Sequence, residues 1–153
     1  MQSQGEATRT FKDQEIEYLE RTQRLVKLVP YELDSKVVRC HELARAIAKL
    51  LGLTFEDGYY GMVEHSWVWT RPREPFEPPS NILDPYTPGR LPQVQLVHSS
   101  TMLPFEYRRG DPRKDIDQEM VDSLVQIFEE SQRVIRCLNG DVFQVPNHWN
   151  CHQ

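Results

Sequence analysis

Val38-Arg39-Cys40-His41-Glu42-Leu43-Ala44-Arg45-Ala46-Ile47-Ala48-Lys49-Leu50-Leu51-Gly52 is the stretch on which the reading of this chain turns. Leu43, Ile47, Leu50 and Leu51 recur at the spacing of one helical face, and Ala44 and Ala48 let a neighbouring element approach closely. Gly52 supplies the left-handed residue that closes such a helix. Cys40 then falls in the first turn, where the helix dipole and unpaired N–H groups favour a thiolate. Lys36, Arg39 and a charged His41 would add to that effect. The thiolate is the nucleophilic form, so Cys40 is the residue the rest of the chain must explain.

Upstream, a helix is expected over about residues 11–28. Its apolar stripe is Ile16, Leu19, Leu25 and Val26, with Glu15, Glu17, Glu20, Arg21 and Arg24 on the polar side and Pro30 as the stop. The polar residues 1–10 before it are expected to fray. Asp34 or Ser35 is expected to cap the Cys40 helix. Downstream the period changes. Tyr59, Tyr60, Met62 and Val63, then Trp67, Val68 and Trp69, are mostly aromatic or β-branched, and read as strands joined by a tight link near Glu64, so that His65 opens the second strand.

Seven of the eleven prolines lie between residues 71 and 92, which predicts a stiff loop inside the domain. Asn81-Ile82-Leu83-Asp84 reads as a short strand in that loop, and Val94 to His98 as another just after it. Asp115 or Asp117 is expected to cap a long helix through Met120, Leu124, Ile127, Phe128, Ile135 and Leu138, which stops at Asn139-Gly140; a last strand is expected at Val142 to Val145. The order is α+β: N-terminal helices packed on a small antiparallel sheet, with a long C-terminal helix.

With 153 residues and 39% hydrophobic content, the chain suits one domain over 1–153. A formal net charge of -5 with interspersed signs argues against nucleic acid or an anionic membrane as partner, since both reward a basic stripe. Apolar runs fall short of the roughly 20 residues of a membrane span, and the N-terminal residues lack the pattern of a signal peptide. Cys40, Cys137 and Cys151 are odd in number and widely spaced, which suits free thiols in a reducing cytoplasm rather than a disulfide framework.

A nucleophilic thiol needs a base within reach, and the base needs a third group to set its tautomer. His65 and Asp84 are the candidates, because each belongs to an expected strand of one sheet and neighbouring strands run about 4.8 Å apart. A cysteine at a helix start, an Ala- and Leu-rich helix ending in Leu51-Gly52, then His65-Ser66-Trp67, then Leu83-Asp84-Pro85 resembles the transglutaminase-like cysteine superfamily over about residues 36–88. The resemblance implies a papain-like fold and a triad of Cys40 as nucleophile, His65 as base and then acid, and Asp84 as orienter of the imidazole. It also implies Trp67 packed beneath the site. With Arg39, which flanks the thiol, Trp67 is a substrate-contact candidate.

The implied activity is hydrolysis or acyl transfer on an amide or related acyl bond of a peptide, protein or small molecule, with no cofactor. A catalytically silent member that binds a protein or peptide in the same groove is the alternative.

Each residue alone has a plainer reading. Free cysteine is among the most buried residue types, a strand-edge histidine bonds a carbonyl, and Asp before Pro suits a turn. Their order and element context carry the argument. Cys137 reads as packing, Cys151 as idle, and His41 and His98 as solvated or locally bonded. Cys40, His65 and Asp84 are also zinc-ligand types, as are His148, Cys151 and His152. The chain lacks paired close ligands such as C-x-x-C, so no metal is expected.

Overall fold

The Cys40 helix forms where its periodicity places it, Cys40–Leu51, and Gly52 closes it at φ 72° while the Leu53 N–H bonds the Ala48 carbonyl at 2.8 Å. This computed structural model describes residues 11–71, 81–88, 93–98 and 106–138, with side chains as far as 133. Along the chain run α1 (Asp13–Val26), β1 (Glu32–Leu33), β2 (Lys36–Val37), α2 (Cys40–Leu51), β3 (Thr54–Tyr60) and β4 (Val63–Trp69). They are followed by β5 (Ile82–Asp84), β6 (Gln95–Val97), β7 (Tyr107–Arg109) and α3 (Gln118–Leu138). The architecture is α+β. β1 and β2 form a small hairpin, and the other strands form an antiparallel sheet in the order β6-β5-β4-β3-β7. Among the described residues no helix is long and apolar enough to cross a membrane.

Two turns differ from expectation. Asp34 and Ser35 do not cap α2; they are the central residues of the β1–β2 turn, at φ 53° and 66°. Two successive positive φ values suit the right-handed twist of a two-residue hairpin, and Asp tolerates that region better than most residues. The residue before α2 is Arg39 in extended conformation, without a side-chain cap. The β3–β4 link lies at Gly61-Met62 rather than near Glu64, because Gly61 accepts φ 60° and Tyr60 pairs with Val63. β4 therefore starts at Val63, and His65 is its third residue, not its first.

Glu15 is a third difference. Its spacing puts it on the polar side of α1, yet it is buried, with Thr70 Oγ1 donating to it at 2.6 Å and Asn81 Nδ2 at 2.8 Å. A buried carboxylate is tolerated where donors surround it, and here it ties α1 to the end of β4 and the start of β5. Asp117 does cap α3, accepting the Met120 N–H at 3.1 Å, whereas Asp115 pairs with Arg39 and Arg113. β7 was not anticipated. The expected fraying of residues 1–10, most of the proline-rich loop, the 139–140 stop, the strand at 142–145, the Cys137 side chain, and His148, Cys151 and His152 lie outside the described residues or side chains.

The two faces of the larger sheet differ. Val68 and Leu83 point to the helices and pack with Leu43, Ile47, Leu124 and Phe128; each of these six is 2% exposed or less, which contributes about 1.5–3 kcal/mol per side chain. Trp67, Trp69, Ile82 and Tyr107 form a second cluster on the other face. There Gln95 on β6 donates to the Tyr107 hydroxyl on β7 at 3.1 Å, although these strands are the two edges of the sheet, about 19 Å apart if it were flat. The sheet therefore curls toward its tryptophan face.

Candidate active site

Strand alternation puts His65, Trp67 and Trp69 on the curled face and Ser66 and Val68 on the helix face. β5 pairs with β4 through Val68↔Leu83 and Trp69↔Ile82, and continuing that register sets Asp84 opposite Trp67. Asp84 is thus the diagonal same-face neighbour of His65, a separation that a long side chain can span. His65 Nε2 meets Asp84 Oδ2 at 2.8 Å, with both side chains buried. The Tyr107 hydroxyl donates to the same oxygen at 2.8 Å, and the Tyr86 N–H donates to Oδ1 at 3.1 Å. Asp84 is fully buried but accepts from three sides, as a buried carboxylate must. Gly58, opposite His65 in the ladder, keeps this face open: a Cβ there would lie 2.9 Å from the tip of Trp67 and 2.0 Å from the Arg108 carbonyl oxygen.

Cys40 is the first residue of α2 and is partly exposed. Burial disfavours its thiolate, but His41 and His65 outweigh that as donors and as charges, and the thiol is lowered to about 6. For His65, burial opposes the charged ring; Asp84 and then Cys40 overcome it and raise the imidazole to about 9. Between those values thiolate and imidazolium coexist. The Tyr107 hydroxyl is pushed up by burial and by the Asp84 charge, so it stays a donor. Since Nε2 of His65 is committed to Asp84, its Nδ1 is the nitrogen left for the thiol.

Sequence reasoning missed two contributors. Tyr107 comes from β7, and no motif marks it. His41, expected to be solvated or locally bonded, is 6% exposed, with Nδ1 2.7 Å from Ser66 Oγ and 3.7 Å from Cys40 Sγ. Ser66 Oγ donates to Asp57 Oδ1 at 2.6 Å, and Arg45 grips both oxygens of Asp57 at 3.0 and 2.6 Å. Burial disfavours the Asp57 carboxylate, but Arg45, Ser66 and the Arg113 N–H hold it below the usual range. The available signal was spacing: His41 and Arg45 lie one turn apart on a helix, and Asp57 and Ser66 face each other in the β3–β4 register.

Trp67 is 1% exposed and packs beside the imidazole at 6.2 Å between ring centroids. Arg39 is held by Glu42, by Asp115 Oδ2 at 2.9 Å and by the Asp115 carbonyl at 3.1 Å. Among the described residues no group of three or more His, Cys, Asp or Glu side chains is arranged to hold a metal ion. Compared with models of protein families, with curated proteins and with solved structures, the chain gives no match.

Proposed function

We propose that this chain is a cysteine-dependent hydrolase or acyltransferase with a transglutaminase-like, papain-like core, acting on an amide or related acyl bond. The observation that carries the reading is the buried contact of His65 Nε2 with Asp84 Oδ2 at 2.8 Å, in which Asp84 holds one ring nitrogen and leaves the other for the Cys40 sulfur, whose thiol the imidazole helps to lower. Cys40 as thiolate attacks the carbonyl carbon, and the S–C bond forms. The C–N bond then breaks as His65 Nδ1 gives its proton to the departing amine. His65 next takes a proton from water or from a second amine, whose oxygen or nitrogen bonds the carbonyl carbon while the S–C electron pair returns to sulfur. The Cys40 N–H, a first-turn donor without an intrahelical partner, is the oxyanion donor of this scheme. A working free thiol suits a reducing compartment such as the cytoplasm.

Alkylation by iodoacetamide as a function of pH, followed by peptide mass, tests the reading. Cys40 is expected to be the most reactive thiol at neutral pH, with its midpoint moved up in His65→Ala. A Cys40 no more reactive than Cys151, or a midpoint indifferent to His65→Ala, overturns it and favours the binding-module alternative.

A further inference from the structure

The proposed mechanism uses one of the two histidines that influence the thiol, and the hydrogen bonds around the other, His41, fix its protonation. Asp57 accepts from Arg45 twice, from Ser66 and from the Arg113 N–H at 3.0 Å, so it is a carboxylate and acceptor only. Ser66 has a single proton and gives it to Asp57 at 2.6 Å. Its oxygen, 2.7 Å from His41 Nδ1, must therefore accept, so Nδ1 carries the hydrogen. The same N–H has Cys40 Sγ as a second acceptor at 3.7 Å. A nitrogen locked as donor takes no proton from the thiol. That leaves His65 as the base and gives His41 a separate part.

We propose that His41 is a catalytic residue whose Nδ1–H, held by Ser66, is permanently shared with the Cys40 sulfur, with Ser66, Asp57 and Arg45 as the positioning residues that keep it in that state. This rests on the cysteine-hydrolase reading and extends it to how the sulfur anion is held while His65 is occupied elsewhere. When His65 hands its proton to the leaving amine, or takes one from water, its N–H turns from sulfur toward the other reactant. The His41 N–H, fixed by Ser66 at 2.7 Å, keeps sulfur as its second acceptor through both events. It stabilises the attacking thiolate and, when the thioester opens, the thiolate that departs with the S–C electron pair. The titratable groups facing sulfur are His41 on α2 and His65 on β4; Asp84 and Tyr107 stand behind His65, Asp57 and Arg45 behind His41.

Two measurements test this on the full chain. Nitrogen-15 NMR of the wild-type ring reads the tautomer directly: a protonated Nδ1 at neutral pH is expected, and an unprotonated one overturns the proposal without any variant. Second, iodoacetamide alkylation against pH is compared in His41→Ala, His41→Asn and His65→Ala. Losing one hydrogen bond to a charged group is worth about a tenfold change, so His41→Ala raises the thiol midpoint by about one pH unit. Asn puts an amide N–H where Nδ1–H was and is expected to recover at least half of that shift. A His41→Ala midpoint equal to wild type, or no rescue by Asn, overturns the role. An unchanged midpoint in His65→Ala instead overturns the cysteine-hydrolase reading itself, so the two failures are told apart.

Discussion

Replacing Asp84 by Asn keeps the shape of the side chain and removes its charge. It leaves one oxygen where two now accept from His65, Tyr107 and the Tyr86 N–H. Burial opposes the charged His65 ring, and Asp84 is the first of the influences that raise it from 6.5 to about 9. That rise corresponds to about 3 kcal/mol favouring imidazolium over neutral imidazole. In Asp84→Asn only the thiolate still opposes burial, so His65 falls toward or below its ordinary value. Cys40 then loses the His65 cation and is expected to climb from about 6 most of the way to the ordinary thiol range. A midpoint rise of about two pH units follows, taking free cysteine at roughly 8.5 as the limit.

The assay must read the midpoint rather than one rate. A more basic thiolate is a better nucleophile, and that gain offsets about half of what is lost in thiolate population at neutral pH. Iodoacetamide rate against pH, checked by the ultraviolet absorbance of the thiolate, gives the midpoint directly. In the wild type the thiolate forms as pH rises through about 6 and the imidazolium disappears as pH rises through about 9, so the proposed acyl transfer is expected only within that window. If Asp84→Asn leaves the alkylation midpoint unchanged, Asp84 is not what makes His65 a cation, and the reasoning fails.

Other expected outcomes concern the scaffold. Glu15→Gln removes a buried charge that accepts from Thr70 and Asn81, and should cost about 2 kcal/mol, or roughly 4–8 °C in melting temperature. Burial disfavours the Glu15 charge, but Thr70, the Lys12 N–H and Asn81 hold the carboxyl below its ordinary value. Its contribution is therefore present above the unfolded value and disappears as pH falls through the folded one. Melting curves of wild type and variant should converge in acid; a constant difference would show that the charge is not involved. Gly58→Ala drives a methyl into the Arg108 carbonyl and Trp67, and should destabilise by about 1–3 kcal/mol or more, measured by urea unfolding; a neutral result would refute the close approach. Phe128→Ala empties a fully buried site in the core where α3 packs on α2, and should lower stability by about 3–5 kcal/mol with an unchanged urea slope.

α2 was legible because everything that defines it is local: apolar residues at helical spacing, a cysteine at the start, and a glycine that takes positive φ at the end. The Asp117 cap was readable for the same reason, as its acceptor and donor are three residues apart. The His65 and Asp84 pair was reachable only as two strand residues in one sheet. Their face depends on strand register, where a slip of one residue would turn His65 toward α2, and register was set by Gly61 rather than by a link near Glu64.

Sequence alone determined the elements and the chemical types available to them: an α+β chain, a thiol at a helix start, an imidazole and a carboxylate on strands. Tertiary structure alone decided which groups meet. Tyr107 reaches Asp84 because the sheet curls, and His41, Arg45, Asp57 and Ser66 join because α2 lies against the β3–β4 ladder. The physical reason is range. Periodicity, capping and turn preference act within a few residues, whereas the state of the Cys40 sulfur is set by two imidazoles, one held by Asp84 on β5 and the other held through Ser66 by Asp57 on β3.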